Sequence, residues 1–396
     1  MLRNFYRFLP LGVARSTPFV PKTAKFASFF IASTAIYHLT RYRQIAWSRS
    51  ENSPFITTED VEDERKEWAQ DGKRIFTVCV TGAAGQTSYH LFPLLANGSV
   101  FGPNVRVKLR MLDRPELKDS LKAVALELED GCFPLLEGVK YGSDPRKLFK
   151  DCDLIIFLGG EPRKPGMSRS DLLKINGKIM QEHGKALNEV GRKDVRCLVV
   201  TNPSNTNCLI LQHHAPRIPK EHFTSLSMLD HNRAIAQLAK ILNKPASYFQ
   251  NVIVWGNHSG TVYPDISHGK VGGVPLKNII KDEKFRNEFI QKVQKRGDEI
   301  LNTKREHPSA MSGAHAIRDH LKIWWEGTQP GSYTSMGVIS DGSYGVPEGL
   351  FFSFPVVTKY FNHTIVKALE LDDFSKKQMR TTIMELVEEL EEATKL

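Results

Sequence analysis

Short apolar runs alternate with longer helical stretches along most of the chain. Residues 74–80, 105–112, 153–158 and 195–201 are short runs rich in apolar and β-branched side chains, which predicts buried strands. Residues 170–190, between the last two runs, have the pattern of a long helix. Alternation of this kind is typical of a parallel, doubly wound α/β sheet, whose ligands bind at the carboxyl ends of the strands.

A glycine turn follows the first predicted strand. The residues TGAAGQTS place Gly82 and Gly85 at the spacing of a dinucleotide-binding turn, with Ser88 at the third small position. Gly82 permits a tight turn, and Gly85 permits a close approach to a pyrophosphate. The helix that follows offers free N–H groups and the positive end of its dipole. The sequence therefore predicts a dinucleotide site here.

The second predicted strand ends at an acid, Asp113. A carboxylate at this place accepts hydrogen bonds from the ribose hydroxyls of NAD and repels the 2′-phosphate of NADP. The alternative is that Asp113 caps the next turn. Arg114 follows directly and could attract a phosphate, so an NADP-linked enzyme stays an alternative to an NAD-linked one.

Charged side chains gather where predicted strands and helices begin or end. They are Arg163 and Arg169 in the loop GGEPRKPGMSRSDLL, Asp230 and Arg233 at the start of an apolar helix, and His258 after the strand at 251–255. Each residue alone could have a purely structural role. Together, beside a nucleotide site, they predict proton transfer on an anionic substrate next to a hydride carrier.

The excess of positive charge lies at the N-terminus. The chain has 396 residues and a net charge of +10, and residues 1–50 hold eight basic side chains and no acidic one. The remaining residues hold 46 basic and 44 acidic side chains. Because the body of the protein is nearly neutral and has no basic stripe interleaved with aromatic residues, we expect no nucleic-acid partner.

The first fifty residues have the composition of an organelle transit peptide. Residues 26–39 (FASFFIASTAIYHL) are apolar, too short for a certain span but usable as an anchor. We expect a mitochondrial protein, in the matrix if the segment is removed and associated with the inner membrane if it is kept. A plastid or secretory signal is the alternative. Residues 51–70 turn acidic and predict a charged connecting helix.

The five cysteines are scattered, and none belongs to a CxxC pair. This spacing predicts neither a disulfide scaffold nor a metal site.

Eight ordered motifs resemble those of malate dehydrogenase, in the cytosolic-type branch of the lactate/malate dehydrogenase superfamily. They are VTGAAGQ, PRKPGMSRSDLL, VTNPSNTNCL, LDHNRA, WGNHSGTVYPD, SAMSGAHAI, SMGVISDG and YGVPEGL. The resemblance covers about residues 73–390. It implies a Rossmann-type NAD-binding domain at 71–225 and an α/β substrate domain at 226–396, after an extension at 1–70.

The resemblance also implies roles for the charged residues. His258 and Asp230 match the family's proton relay. Arg233 matches the arginine that grips the C1 carboxylate, and Arg169 the arginine that polarises the reacting carbonyl. Arg163 matches the position whose cation selects malate over lactate by pairing with the second carboxylate.

The cofactor side of the site is implied in the same way. The residues expected to contact NAD are Gly82, Gly85, Gln86, Asp113 and Asn176. Asn202 matches an asparagine that binds the substrate and the nicotinamide region. No cysteine lies in either terminal extension, which excludes the thiol switch of the plastid NADP-linked branch.

The function expected from this resemblance is NAD-dependent interconversion of malate and oxaloacetate by a homodimer. Two alternatives stay open: an NADP-linked malate dehydrogenase, and a structural subunit of a mitochondrial membrane assembly attached through residues 1–50.

Overall fold

The computed structural model describes residues 75–162, 167–303 and 309–395. The strands are β1 (Ile75–Thr81), β2 (Arg106–Leu112), β3 (Leu136–Gly142), β4 (Leu154–Phe157), β5 (Arg196–Val199), β6 (Phe223–Ser225), β7 (Phe249–Gln250), β8 (Ile253–Trp255), β9 (Tyr263–Asp265), β10 (Lys270–Val271), β11 (Val274–Pro275), β12 (Thr334–Ile339), β13 (Phe351–Lys359) and β14 (Asn362–Ile365). The helices are α1 (Gln86–Ala96), α2 (Lys118–Asp130), α3 (Pro145–Phe149), α4 (Arg169–Val190), α5 (Ser204–His213), α6 (Met228–Leu242), α7 (Leu276–Ile279), α8 (Glu283–Gln294), α9 (Arg296–Thr303), α10 (Ala310–Glu326) and α11 (Asp373–Ala393).

Strands β1 to β6 form a parallel sheet in the order β6-β5-β4-β1-β2-β3. This is the strand order of a Rossmann fold, with helices in the crossover connections. All residues of β4 and β5 are buried, as expected for central strands covered on both faces. The predicted α/β fold with a doubly wound parallel sheet is therefore confirmed.

The sheet continues beyond β6 through three antiparallel strands, in the order β6-β12-β13-β14. Strand β12 meets β6 where Gly337 pairs with Ser225. A Cβ atom on Gly337 would lie 1.9 Å from Ser225 Oγ, so a glycine is needed for this approach. Because one sheet crosses the boundary predicted between 225 and 226, the division into two domains stays a prediction.

The predicted elements of the first half differ from the observed ones by a few residues at their ends. The helix predicted from residue 170 begins at Arg169, because Ser168 and Asp171 form a capping box that fixes its start. The helix after the glycine turn begins at Gln86, three residues before the helical stretch that the sequence predicts at 89–95. The charged helix expected at 51–70 lies outside the described residues.

The second half has its own apolar core around α6. Ala234 and Leu238 of this helix pack with Phe249, Val254 and other buried side chains from the neighbouring strands and α8. Strand β8 pairs antiparallel with β9, and the residues between them include His258. The hairpin and α6 thus bring the two segments that carry charged candidates next to each other. The five cysteines are free thiols, and four of them are buried.

Candidate active site

The glycine turn lies at the carboxyl end of β1, against the end of β4. Gly82 has a φ of +65°, and a Cβ atom there would lie 2.6 Å from the Cα of Gly159. Only glycine fits both the conformation and the contact. Ser88 donates a hydrogen bond to the carbonyl of Gly82 at 2.8 Å and closes the turn.

The helix α1 starts directly after this turn without a capping side chain. Gly85 is its N-cap residue, and Gln86 is its first residue and is exposed. The first turn of a helix leaves N–H groups that need acceptors, and in the part of the chain that the structure describes the N-cap position provides no side-chain acceptor for them. A phosphate would satisfy them, so the turn fits the pyrophosphate of a dinucleotide.

Asp113 reaches from the end of β2 to the same turn. One carboxylate oxygen accepts a hydrogen bond from the Ala84 N–H at 2.9 Å, and the other accepts one from the Arg114 N–H at 2.9 Å. The carboxylate therefore holds the glycine turn in place, a role that the sequence did not suggest. Each oxygen keeps a further lone pair, which is what two ribose hydroxyls would need.

Asn176 braces the loops after β4 and β5. Its side chain is buried and bonds to the N–H and carbonyl of Glu161 and to the carbonyl of Asn202, at 2.8–3.1 Å. Asn202 itself is exposed and precedes a cis peptide bond to Pro203. The structure thus places Asn202 after the carboxyl end of β5, with the side chain of Asn176 from α4 against it, and the contacts of both to a cofactor or substrate stay predictions.

Asp230 lies between the imidazole of His258 and the guanidinium of Arg233. Its Oδ2 accepts a hydrogen bond from His258 Nδ1, and its Oδ1 accepts one from Arg233 Nη1 at 3.1 Å. Helix α6 supplies Asp230 and Arg233 one turn apart, and the turn after β8 supplies His258. The three residues that the sequence singled out in these segments are therefore linked through Asp230.

The protonation of this group follows from its surroundings. Burial raises the pKa of the Asp230 carboxyl, but the neighbouring His258 and Arg233 lower it more, and the net effect is a lowered pKa. An ionised carboxylate can only accept hydrogen bonds, so Nδ1 of His258 carries the proton. In the neutral ring, Nε2 then has a free lone pair, and it can accept a proton from a ligand.

Arg233 presents a cation with unused hydrogen-bonding capacity. Its Nη2 lies 3.4 Å from Ser309 Oγ, and its Nε is buried without a hydrogen-bond partner among the described residues. A half-buried guanidinium with unused donors fits an anionic ligand such as a carboxylate, which can bind two N–H groups at once. Arg163, the second predicted anion ligand, lies outside the described residues.

Arg169 approaches the histidine from the start of α4. Its Nη1 lies 3.4 Å from the carbonyl oxygen of His258, and its Nη2 donates to Asn257 Oδ1 at 3.2 Å. The structure therefore brings Arg169, His258, Asp230 and Arg233 into one chain of contacts.

Two asparagines without a predicted role, Asn205 and Asn257, support the turn that carries His258. Asn205 accepts the His258 N–H at 3.0 Å and donates to the carbonyl of Phe351 at 3.0 Å. Asn257 bonds to Arg169 and to acidic residues of the C-terminal helix. The NPSNTN and GNHSG segments mark both residues as polar, but only their three-dimensional contacts show what they hold.

Within the described ranges, no cluster of three or more His, Cys, Asp or Glu side chains could hold a metal ion. The helices in those ranges include none that is both long and apolar enough to cross a membrane.

Comparison with protein families assigns the chain to one class of enzyme. Residues 76–224 match the NAD-binding domain of lactate/malate dehydrogenases, and residues 227–396 match the α/β C-terminal domain of the same enzymes. The chain belongs to the lactate/malate dehydrogenase family. Members of this family are NAD-dependent oxidoreductases of malate- or lactate-type substrates and are usually oligomeric.

Solved structures of both kinds of enzyme are similar to this chain. Malate dehydrogenase from Naegleria fowleri is 39% identical over 81% of this chain and 98% of its own, with a TM-score of 0.78. Lactate dehydrogenase from Trichomonas vaginalis, in complex with NADH and oxamate, is 34% identical over 81% of this chain and all of its own, with a TM-score of 0.76. The family is thus established, while its malate and lactate branches are both represented among the neighbours.

Proposed function

We propose that the protein is an NAD-dependent malate dehydrogenase that interconverts malate and oxaloacetate. The observation that carries the chemistry is the position of Asp230 between His258 and Arg233. This arrangement places a proton acceptor beside a cation that can bind a carboxylate. A hydroxy acid offers a matching hydroxyl group and carboxylate on adjacent carbon atoms.

His258 acts as the acid–base group in this proposal. Its Nε2 accepts the hydroxyl proton of malate, and in the reverse direction it returns the proton to the carbonyl oxygen of oxaloacetate. The ring is then positively charged, and the Asp230 carboxylate at Nδ1 stabilises that charge. Because Asp230 is also bonded to Arg233, the imidazole is held in one orientation relative to the carboxylate-binding cation.

In this proposal each of three arginines interacts with a different oxygen-bearing group of the substrate. Arg233 binds the C1 carboxylate, and Arg169 faces the oxygen that becomes negative as the carbonyl is reduced. Arg163 pairs with the second carboxylate that oxaloacetate has and pyruvate lacks. Support for malate over lactate comes from the family resemblance, in which Arg163 matches the loop position whose cation selects malate by pairing with the second carboxylate.

The dinucleotide would be held by the turn at Gly82 and Gly85, by the N-terminus of α1 and by Asp113. The chemistry that NAD supplies when bound is acceptance of a hydride from the carbon that bears the substrate hydroxyl. Asp113 favours NAD over NADP, since a 2′-phosphate would face its carboxylate. Asn202 orients the substrate beside the nicotinamide region.

One assay tests the proposal. The purified protein should reduce oxaloacetate with NADH at a kcat/KM far above that for pyruvate with NADH and for oxaloacetate with NADPH. A preference for pyruvate would make the protein a lactate dehydrogenase, and a preference for NADPH would remove the assignment of Asp113.

We also propose that the protein is a homodimer located in mitochondria, from the family resemblance and the acid-free basic segment at 1–50. Light scattering of the purified protein tests the dimer.

A reporter fused to residues 1–50 tests the location, and carbonate extraction of isolated mitochondria separates a matrix protein from an anchored one. A reporter that stays in the cytosol would overturn the mitochondrial assignment.

A further inference from the structure

A buried carboxylate of the C-terminal helix is paired with Arg169. Glu389 of α11 is buried, although it belongs to a helix end rich in exposed acidic residues. Its Oε1 accepts hydrogen bonds from Arg169 Nε and, at 2.9 Å, from Asn257 Nδ2, while its Oε2 accepts one from Thr206 Oγ1. Three donors from three different segments thus converge on one carboxylate.

These contacts fix the plane of the Arg169 guanidinium. A guanidinium has five N–H groups in one rigid plane. Glu389 takes the Nε–H group, Asn257 Oδ1 lies 3.2 Å from Nη2, and the carbonyl of His258 lies 3.4 Å from Nη1. Each of the three guanidinium nitrogen atoms therefore has one hydrogen-bond partner in the protein. These three contacts together set the orientation of the two N–H groups, one on Nη1 and one on Nη2, that the contacts do not use.

The same helix also supports the turn that carries the histidine. Glu385 Oε2 accepts hydrogen bonds from Asn257 Nδ2 at 2.9 Å and from Thr261 Oγ1 at 2.5 Å. The Asn257 N–H donates to Thr382 Oγ1 at 2.8 Å. A Cβ atom on Gly256 would lie 2.2 Å from that threonine oxygen, so the glycine allows the helix to approach. The helix therefore contacts the partners of Arg169 as well as Arg169 itself.

The Glu389–Arg169 pair is costly to break from either side. The Glu389 side chain is 9% exposed, and a buried carboxylate without a cation is strongly disfavoured. Arg169 is 30% exposed and could turn toward solvent if the carboxylate did not hold it. The negative charge of Glu389 partly cancels the positive potential of Arg169 at the site. Glu389 therefore favours catalysis only if the orientation of the guanidinium matters more than the net charge of the pair.

We propose that Glu389 is a positioning residue that sets the orientation of Arg169 toward the substrate carbonyl. The inference rests on the proposed function, in which Arg169 stabilises charge that develops on that oxygen. Such stabilisation is strongest in the transition state, so a misoriented Arg169 lowers kcat more than it raises the KM for oxaloacetate. The C-terminal helix then contributes to the rate through Arg169, and none of its residues touches the substrate.

The test combines Glu389→Gln with a matched control and a double-mutant cycle. Glu388→Gln removes an equal charge from the adjacent, exposed position of the same helix. Glu389→Gln should lower kcat for oxaloacetate about ten- to hundredfold, the range expected for losing a hydrogen bond to a charged group. The KM for NADH should stay within about twofold of the original, since NADH binding does not use Glu389, and Glu388→Gln should match the unmodified protein.

The cycle separates positioning from a general structural effect. In protein that already carries Arg169→Gln, the further change Glu389→Gln should cost almost nothing in kcat, because the group that it positions is absent. An undiminished loss in that background, or no loss in Glu389→Gln alone, would overturn the inference. An unmodified protein that reduces neither oxaloacetate nor pyruvate would instead overturn the proposed function. The assay of the unmodified protein therefore distinguishes a failure of the proposed function from a failure of the inference about Glu389.

Discussion

His258 donates its Nδ1–H group to an Asp230 carboxylate that is almost completely buried. The two residues lie 28 positions apart, one in the first turn of α6 and the other after β8. A buried carboxylate needs a donor, and Asp230 has two, His258 and Arg233. The same contact fixes the tautomer of the imidazole, so folding of the substrate half also prepares the proton acceptor.

The first prediction concerns this contact. His258→Asn should lower turnover of oxaloacetate by roughly two to four orders of magnitude, which is the usual contribution of a positioned acid–base group. NADH binding, measured by fluorescence quenching, should stay unchanged because His258 is not a nucleotide ligand in the proposed mechanism. Turnover close to that of the unmodified protein would remove His258 from the mechanism.

The second prediction concerns the choice of nucleotide. Asp113→Ser should narrow the preference for NADH over NADPH, because the 2′-phosphate would no longer face a carboxylate. The affinity for NADH should also fall, since Asp113 accepts the Ala84 N–H that holds the glycine turn. The ratio of kcat/KM with the two nucleotides measures the first effect, and a ratio that does not move would show that Asp113 does not face the ribose. Arg114→Gln, which removes the cation next to Asp113, is the control variant.

The sequence predicted the parts of the fold that depend on local patterns. The buried strands and the glycine turn are each encoded within a few residues. Strands β12, β13 and β14 were not predicted, although seven of the nine residues of β13 are buried. They pair antiparallel at the end of a parallel sheet, and that pairing depends on contacts such as Gly337 with Ser225, which are distant in sequence.

The same distinction holds for the site. His258, Asp230 and Arg233 stand at ends of elements and could be proposed from the sequence. Glu389 could not, because the helix end around it contains four other glutamates and its partner is 220 residues away. Asn176 was predicted as a cofactor contact, but its carboxamide is engaged by backbone groups of two separate loops, which no local pattern reveals.

The third prediction concerns stability at acidic pH. Burial lowers the pKa of His231 to about 4, and burial together with His363 lowers that of His320 to about 3, from an ordinary value of 6.5. Well above pH 6.5 both residues are neutral whether or not the chain is folded, so they do not affect stability there. As the pH falls below 6.5, the unfolded chain takes up protons that the folded protein refuses, and stability decreases by about 1.4 kcal/mol per pH unit for each residue. The decrease due to His231 should end near pH 4.

Urea unfolding between pH 7 and pH 4, at one fixed protein concentration, measures this decrease. His320→Phe changes the absolute stability, but it should also make the slope against pH shallower by the share of one histidine. A slope identical to that of the unmodified protein would mean that His320 is not buried as a neutral group. His315→Phe is the matched control, since His315 is exposed on the same helix α10.

The last prediction concerns the choice of keto acid. Oxaloacetate carries one more carboxylate than pyruvate, and in a partly desolvated site that charge needs a cation. Removing one member of a buried charge pair costs about 3–5 kcal/mol, which is roughly two to four decades in specificity at ~1.4 kcal/mol per decade. Arg163→Gln should therefore lower kcat/KM for oxaloacetate heavily and affect pyruvate much less.

Two further variants make this result specific. Lys164→Gln removes the neighbouring cation of the same loop and should leave the ratio of the two substrates nearly unchanged. Arg169→Gln should reduce activity on both keto acids, because the carbonyl that Arg169 faces is common to them. Equal losses on oxaloacetate and pyruvate in Arg163→Gln would show that Arg163 does not read the second carboxylate, and the preference for malate would then need another source.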